Sequence, residues 1–153
     1  LDHIARTLAP DLIQLHGRET PDRVARVSAG TGIPVMKAVG VAEPTDLAAL
    51  ADYASAARLL LDAKPPRDAT RPGGNGAAFD WALLTGFAPG KPWMLAGGLD
   101  PSNVGAAIRA TGAPGVDVSS GVERAPGVKD PALIHAFVAA VRAAGRLQQR
   151  RAG

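Results

Sequence analysis

Apolar residues gather along the chain in five short runs, each followed by a longer mixed stretch. The runs are Leu12-Ile13-Gln14-Leu15, Val35-Met36-Lys37-Ala38-Val39, Leu59-Leu60-Leu61, Trp93-Met94-Leu95-Ala96 and Val116-Asp117-Val118. None alternates apolar and polar residues over a long span, so they read as strands buried on both faces. The stretches between them place apolar residues at helical spacing and carry helix-start signals. Thr20-Pro21-Asp22 supplies an N-cap and a proline at the first helical position, with Val24 and Val27 on one face. Pro44-Thr45-Asp46 opens a second helix with Leu47, Leu50 and Tyr53 or Ala54, and Asp100-Pro101 a third with Val104, Ala107 and Ile108. Asp130-Pro131 opens a fourth with Leu133, Ile134, Phe137, Val138 and Val141, and the chain begins inside a further helix-like segment, Leu1 to Leu8.

The runs end at residues 15, 39, 61, 96 and 118, so successive ends lie 24, 22, 35 and 22 residues apart. A strand followed by a helix at this period is the βαβ unit, which predicts a parallel sheet with right-handed crossovers. No boundary interrupts it, so residues 1–153 are expected to form one α/β domain. The long third spacing holds Lys64-Pro65-Pro66 and Gly73-Gly74-Asn75-Gly76, too rich in proline and glycine for a helix. It reads as a mobile loop, hinge or lid before Phe79-Asp80-Trp81.

Composition narrows the class. With 46% hydrophobic but only 4% aromatic residues, the core must be filled by Leu, Val, Ile and Ala. The net charge of +3 owes much to Arg142, Arg146, Arg150 and Arg151, a spacing that reads as a solvated helix face. Without interleaved aromatics it is not a nucleic-acid surface. The absence of cysteine removes disulfides, thiolate metal sites and thiol nucleophiles from these residues. His3 and His135 fall on helices and no histidine pair has metal-ligand spacing, so no metal is expected. No apolar stretch reaches the ~20 residues a membrane span needs, and a soluble cytoplasmic protein without membrane partners is expected.

In parallel α/β folds ligands collect beyond the carboxyl ends of the strands. Here those positions are small or polar: Gln14 and His16-Gly17, then Lys37 leading to Gly40, then Asp62-Ala63-Lys64, Gly97-Gly98 and Ser119-Ser120-Gly121. Asp62 follows three leucines, and partial desolvation would raise its pKa toward that of a useful general acid. A strand-end aspartate that caps a loop or pairs with Lys64 is the plainer alternative. Gly97-Gly98 with Ser119-Ser120-Gly121, on consecutive units, suit a phosphate cradle, because glycines let backbone N–H groups approach oxyanions. Two tight βα turns would require the same glycines. Gly73-Gly74-Asn75-Gly76 lacks the spacing of a nucleotide fingerprint.

Six motifs in order then point to a family. Gln14-Leu15-His16-Gly17, Lys37-Ala38-Val39-Gly40-Val41 and Leu59-Leu60-Leu61-Asp62-Ala63-Lys64 come first. Gly73-Gly74-Asn75-Gly76 with Phe79-Asp80-Trp81, Leu95 to Val104, and Val116 to Glu123 follow. Over essentially the whole chain the sequence resembles the phosphoribosylanthranilate isomerases of tryptophan biosynthesis. The resemblance implies a (β/α)8 TIM barrel that isomerises N-(5-phosphoribosyl)anthranilate by an Amadori rearrangement, with no metal or organic cofactor. It implies that Asp62 is the general acid and that Gln14, His16 and Asp117 line the substrate pocket. Gly97, Gly98, Ser119, Ser120 and Gly121 would hold the phosphate, with Lys64 and residues 65–76 at the mouth of the site. The expected partner is a small phosphorylated substrate, in a monomer or homodimer.

The same resemblance aligns the five runs with the family's fourth to eighth strands, so three N-terminal βα units are missing. The family's general base is a cysteine at the end of the first strand, and an arginine after the second holds the anthranilate carboxylate. Little or no isomerase activity is therefore expected of these 153 residues alone. Three alternatives stand beside this reading. They are another phosphate-binding barrel, an inactive fragment, and a non-catalytic five-stranded module of flavodoxin or receiver type, whose strands would be reordered in the sheet.

Overall fold

A computed structural model describes residues 2–63 and 80–152. Lys64 and the glycine-rich loop at 65–76 lie outside the described residues. Along the chain come α1 (Asp2–Leu8), β1 (Ile13–Leu15), α2 (Pro21–Thr31), β2 (Val35–Val41), α3 (Pro44–Ala48) and β3 (Arg58–Ala63). After the undescribed segment come β4 (Trp93–Leu95), α4 (Val104–Thr111), the hairpin strands β5 (Glu123–Ala125) and β6 (Val128–Lys129), and α5 (Pro131–Ala152). The first four strands form one parallel sheet in the order β1-β2-β3-β4. Sequential order is the order of a barrel wall and not of the reordered sheet of a doubly wound module. The fifth apolar run is not a full strand: only Val116 bridges, in parallel, to Leu95 at the outer edge of β4.

Strand alternation sorts the sheet into two faces. Val35, Val41, Leu59, Leu61 and Leu95 face the helices and pack against Val24 and Val27 of α2, Val104 and Ile108 of α4, and Phe137 of α5. Met36, Ala38, Leu60 and Ala96 form a small separate cluster on the opposite face, edged by Leu12 and Met94. The expectation of strands buried on both faces therefore holds for β2 and β3, whose central residues are buried, and fails for β1. That strand stands at the sheet edge, and Gln14 is exposed.

Several element boundaries differ from the sequence reading, though the start of α2 does not. α2 begins at its expected cap, with the Arg23 N–H donating to Thr20 Oγ1 at 3.3 Å. The second helix is five residues long and tightens into a 3-10 turn at Ala49–Asp52. It stops before Tyr53 because Lys91 Nζ draws the carbonyls of Tyr53, Ala54 and Ala56 at 2.9, 3.0 and 2.9 Å. The third starts at Val104 and not at Pro101, since Asp100 first closes a turn on the N–H groups of Ser102 and Asn103 at 2.7 and 3.0 Å. On α5, Phe137 is buried while Ile134 and Val138 are 40% and 38% exposed, so the expected apolar face is narrower than the pattern. Between β3 and β4 the described residues hold only a 3-10 turn, Trp81–Leu84, capped by Asp80 Oδ1 on the Ala82 N–H at 2.9 Å.

Candidate active site

Three of the predicted residues, Gln14, His16 and Asp62, meet on the small face of the sheet. Gln14 is in register with Met36, and Gly40 with Asp62, so Gln14 and Asp62 share the face that carries Met36, Ala38 and Leu60. His16 lies two residues beyond Gln14 and therefore on the same side. Its Nε2 stands 3.3 Å from Asp62 Oδ2, and its Nδ1 is 3.4 Å from Gln14 Nε2. This contact spans β2, from β1 to β3. It is open because the intervening strand presents only Ala38 and Gly40 at that level. Asp62 is half-buried, with 24% of its side chain exposed against 57% for His16. A carboxylate held by a more exposed imidazole at a strand end can accept or return a proton to a ligand bound above it.

Lys37 belongs to the other face. Its neighbours in register are Leu15 and Leu59, and it is 2% exposed. Its ammonium donates to Gly17 O and Ala38 O, both at 2.8 Å, and meets Glu19 Oε2 at 3.0 Å, 5.8 Å above the Tyr53 ring. Glu19 also accepts the Gly17 N–H at 2.9 Å, and its backbone carbonyl accepts from Tyr53 Oη at 3.1 Å. Burial pushes the Glu19 carboxyl up, but the hydrogen bond from Lys37, backbone N–H groups and the lysine charge together hold it below the usual carboxylate range. Among the strand-end polar residues Lys37 is thus a clamp on the turn after His16, placed under the site and not in it.

The two glycine loops meet, with Gly121 against Leu99. Gly97 and Gly98 take φ of 87° and 63°, the left-handed region that side chains other than glycine rarely adopt. Asn103 Nδ2 latches the Gly98 carbonyl at 2.8 Å and its Oδ1 accepts the Asp100 N–H at 2.9 Å. Burial raises the Asp100 carboxyl, and its bonds from Ser102 and Asn103 outweigh this and lower it. Gly121 lies directly on the other loop, where a Cβ would overlap the Leu99 carbonyl. Ser119 and Ser120 are exposed beside it, and a 3-10 turn runs over Ser120–Val122. Asp62 sits one residue past the Leu61–Leu95 pair, level with Ala96 and next to the start of the first glycine loop.

Asp117 lies between Val116 and Val118, which pack into the helix-side core, so it projects from the same face as Asp62. It is exposed and, among the described residues, shares no hydrogen bond with Gln14, His16 or Asp62. The strand reading also missed the β5–β6 hairpin, whose Pro126-Gly127 turn was its one local signal. Lys129 on β6 reaches back to Ser119 O and Oγ at 2.8 and 3.2 Å. No group of His, Asp and Glu able to hold a metal occurs among the described residues. No described helix is long and apolar enough to cross a membrane.

A parallel sheet in sequential order, with an aspartate and two glycine loops at the carboxyl ends of its strands, defines a parallel α/β protein. The chain belongs to the N-(5'-phosphoribosyl)anthranilate isomerase family, whose model matches residues 1–140. It is 66% identical over 140 residues to the N-(5'-phosphoribosyl)anthranilate isomerase of Paracoccus denitrificans, covering 91% of this chain and 65% of that protein. It is 58% identical over 144 residues to the same-named protein of Rhodopseudomonas palustris strain HaA2, covering 94% of this chain and 66% of that one. The chain thus spans about two thirds of the length of these curated relatives, just under it in both. The crystal structure of phosphoribosyl anthranilate isomerase from Thermotoga maritima superposes with a TM-score of 0.79 at 34% identity, over 92% of this chain and 66% of that one. A crystal structure of the enzyme in complex with reduced 1-(o-carboxyphenylamino)-1-deoxyribulose 5-phosphate superposes with a TM-score of 0.75 at 32% identity, over 92% and 64%.

Proposed function

We propose that the polypeptide carrying these residues catalyses the Amadori rearrangement of N-(5-phosphoribosyl)anthranilate to 1-(2-carboxyphenylamino)-1-deoxyribulose 5-phosphate. In this reading β1 to β4 and the Val116–Val118 segment are the fourth to eighth strands of a (β/α)8 barrel, in keeping with their sequential parallel order. The observation that carries the chemistry is the linked set Gln14, His16 and Asp62 on one face, level with the start of the glycine loops. Asp62 protonates the furanose ring oxygen and the ring opens. A general base removes the C2 proton, and the enolamine tautomerises to the ketone. One proton is supplied and one removed, so the step balances without a redox partner. Gly97, Gly98, Ser119, Ser120 and Gly121 hold the phosphate, and His16, Gln14 and Asp117 orient the sugar and anthranilate. The likeness to a relative crystallised with a reduced product analogue supports a phosphorylated ligand of this size.

These 153 residues contain no cysteine, so the thiol base implied by the family resemblance is not among them. They supply the acid and the phosphate loops. Loss of substrate fluorescence is the assay, run on the 153 residues alone and with the first three βα units of a relative added in trans. Turnover is expected only in the second mixture. Comparable turnover by the 153 residues alone would overturn this division of labour, and none in either would count against the isomerase reading.

A further inference from the structure

We propose that Lys129 is a positioning residue for the phosphate loop, acting through Ser119; this rests on the phosphate reading above. The β5–β6 hairpin carries the chain away from Ser119 and returns it ten residues later. The Lys129 ammonium then donates to Ser119 O at 2.8 Å, Ser119 Oγ at 3.2 Å and Glu123 Oε1 at 2.7 Å. Three donors thus meet three acceptors. A lysine serving only the hairpin would need Glu123 alone, and an exposed pair of that kind contributes little. Two of its three bonds instead leave the hairpin for the loop.

The geometry has a chemical consequence. Because Ser119 Oγ accepts from an ammonium, the hydroxyl hydrogen is turned away from Lys129 and is available to donate to an oxyanion. Glu123 anchors the arrangement by accepting the Gly127 N–H at 3.0 Å, and the Asp130 N–H closes the base of the hairpin on Val122 O at 2.9 Å. Gly121, seated on the Leu99 carbonyl, ties the oriented serine to the Gly97-Gly98 loop. The ligand class is a phosphate monoester dianion, to which the oriented Ser119 hydroxyl donates.

The test uses inorganic phosphate as the probe and the intact polypeptide as its source expresses it. Binding is followed by the amide resonances of Gly97, Gly98, Ser119, Ser120 and Gly121. Wild type should show saturable shifts at these positions. Both K129M and K129Q should weaken phosphate about ten-fold, the scale of one charge-assisted hydrogen bond, and K129R should restore most of it. In turnover, KM should rise by a similar factor while kcat moves about two-fold or less. Adding S119A to K129M should cost less than S119A does in wild type, because the two act as one unit. If wild type shows no shifts at these amides, the phosphate reading falls and this inference with it. If wild type binds and both lysine variants bind equally well, or if the S119A and K129M losses simply add, only the role of Lys129 is overturned.

Discussion

The two faces of the sheet are built from the same strands and do opposite work. On the helix side, Leu59, Leu61 and Leu95 are 1%, 0% and 0% exposed and meet three helices in a continuous apolar core. On the other side a four-residue cluster, Met36, Ala38, Leu60 and Ala96, stops where Gln14, His16, Asp62 and Asp117 begin. Leu61 and Asp62 are adjacent in sequence and belong to different problems. One stabilises the domain by leaving water, and the other keeps a half-buried carboxylate at a strand end beside His16. A period of two is what allows a single strand to serve both, since neighbouring side chains never share a face.

Exchanging residues across this boundary tests it, and the largest effect is expected on the chemical side. Asp62→Asn keeps shape and removes the proposed acid, so kcat/KM of the polypeptide that carries these residues should fall ~10²–10⁴-fold, with the urea midpoint nearly unchanged. A large loss of stability instead would make Asp62 a structural residue. Next comes Leu61→Ala, which should cost about 2–5 kcal/mol in urea unfolding through lost burial and the cavity left behind. A loss under about 1 kcal/mol would show the helix-side core to be loosely packed. Lys37→Met should destabilise by about 1–3 kcal/mol, since Gly17 O, Ala38 O and Glu19 lose a charged donor. It should also loosen the turn after His16.

The smallest effect is in pH. The Glu19 and Asp100 carboxyls are both held below their ordinary values of 4.5 and 3.8 in the fold. The unfolded chain therefore binds protons first as pH falls. Their contribution is fully present at neutral pH and is lost as pH drops below about 4.5 and through the depressed folded values. Melting followed from pH 6 to 3 should show this decline, and Glu19→Gln should flatten part of it. An unchanged slope in that variant would remove Glu19 from the account.

Much of this was legible in the residues, because the signals were local. The Thr20-Pro21 cap, the βαβ period and the apolar runs at 35–39 and 59–61 each need only neighbours in the chain to be read. The strand-end positions of Asp62 and of Gly97-Gly98 were legible for the same reason, since each directly follows an apolar run. Not legible were the partners brought in from far along the chain. Lys91 ends the helix at 44–48 from more than 35 residues away, and Lys129 returns to Ser119 through a hairpin marked only by Pro126-Gly127. Residues 64–79, where Lys64 and the glycine-rich loop were expected to shape the site, are not described.

By itself the sequence determined the α/β class, the cap that opens α2 and which residue types stand at the strand ends. Periodicity, caps and glycine depend on the local backbone and survive any arrangement of the units. Tertiary structure alone decided that Lys37 faces the helices and Asp62 the site, that His16 reaches Asp62 across Gly40, and that Gly121 must lack a side chain because Leu99 lies against it. Those facts come from register and from contacts between distant segments, and no local preference of the chain encodes either.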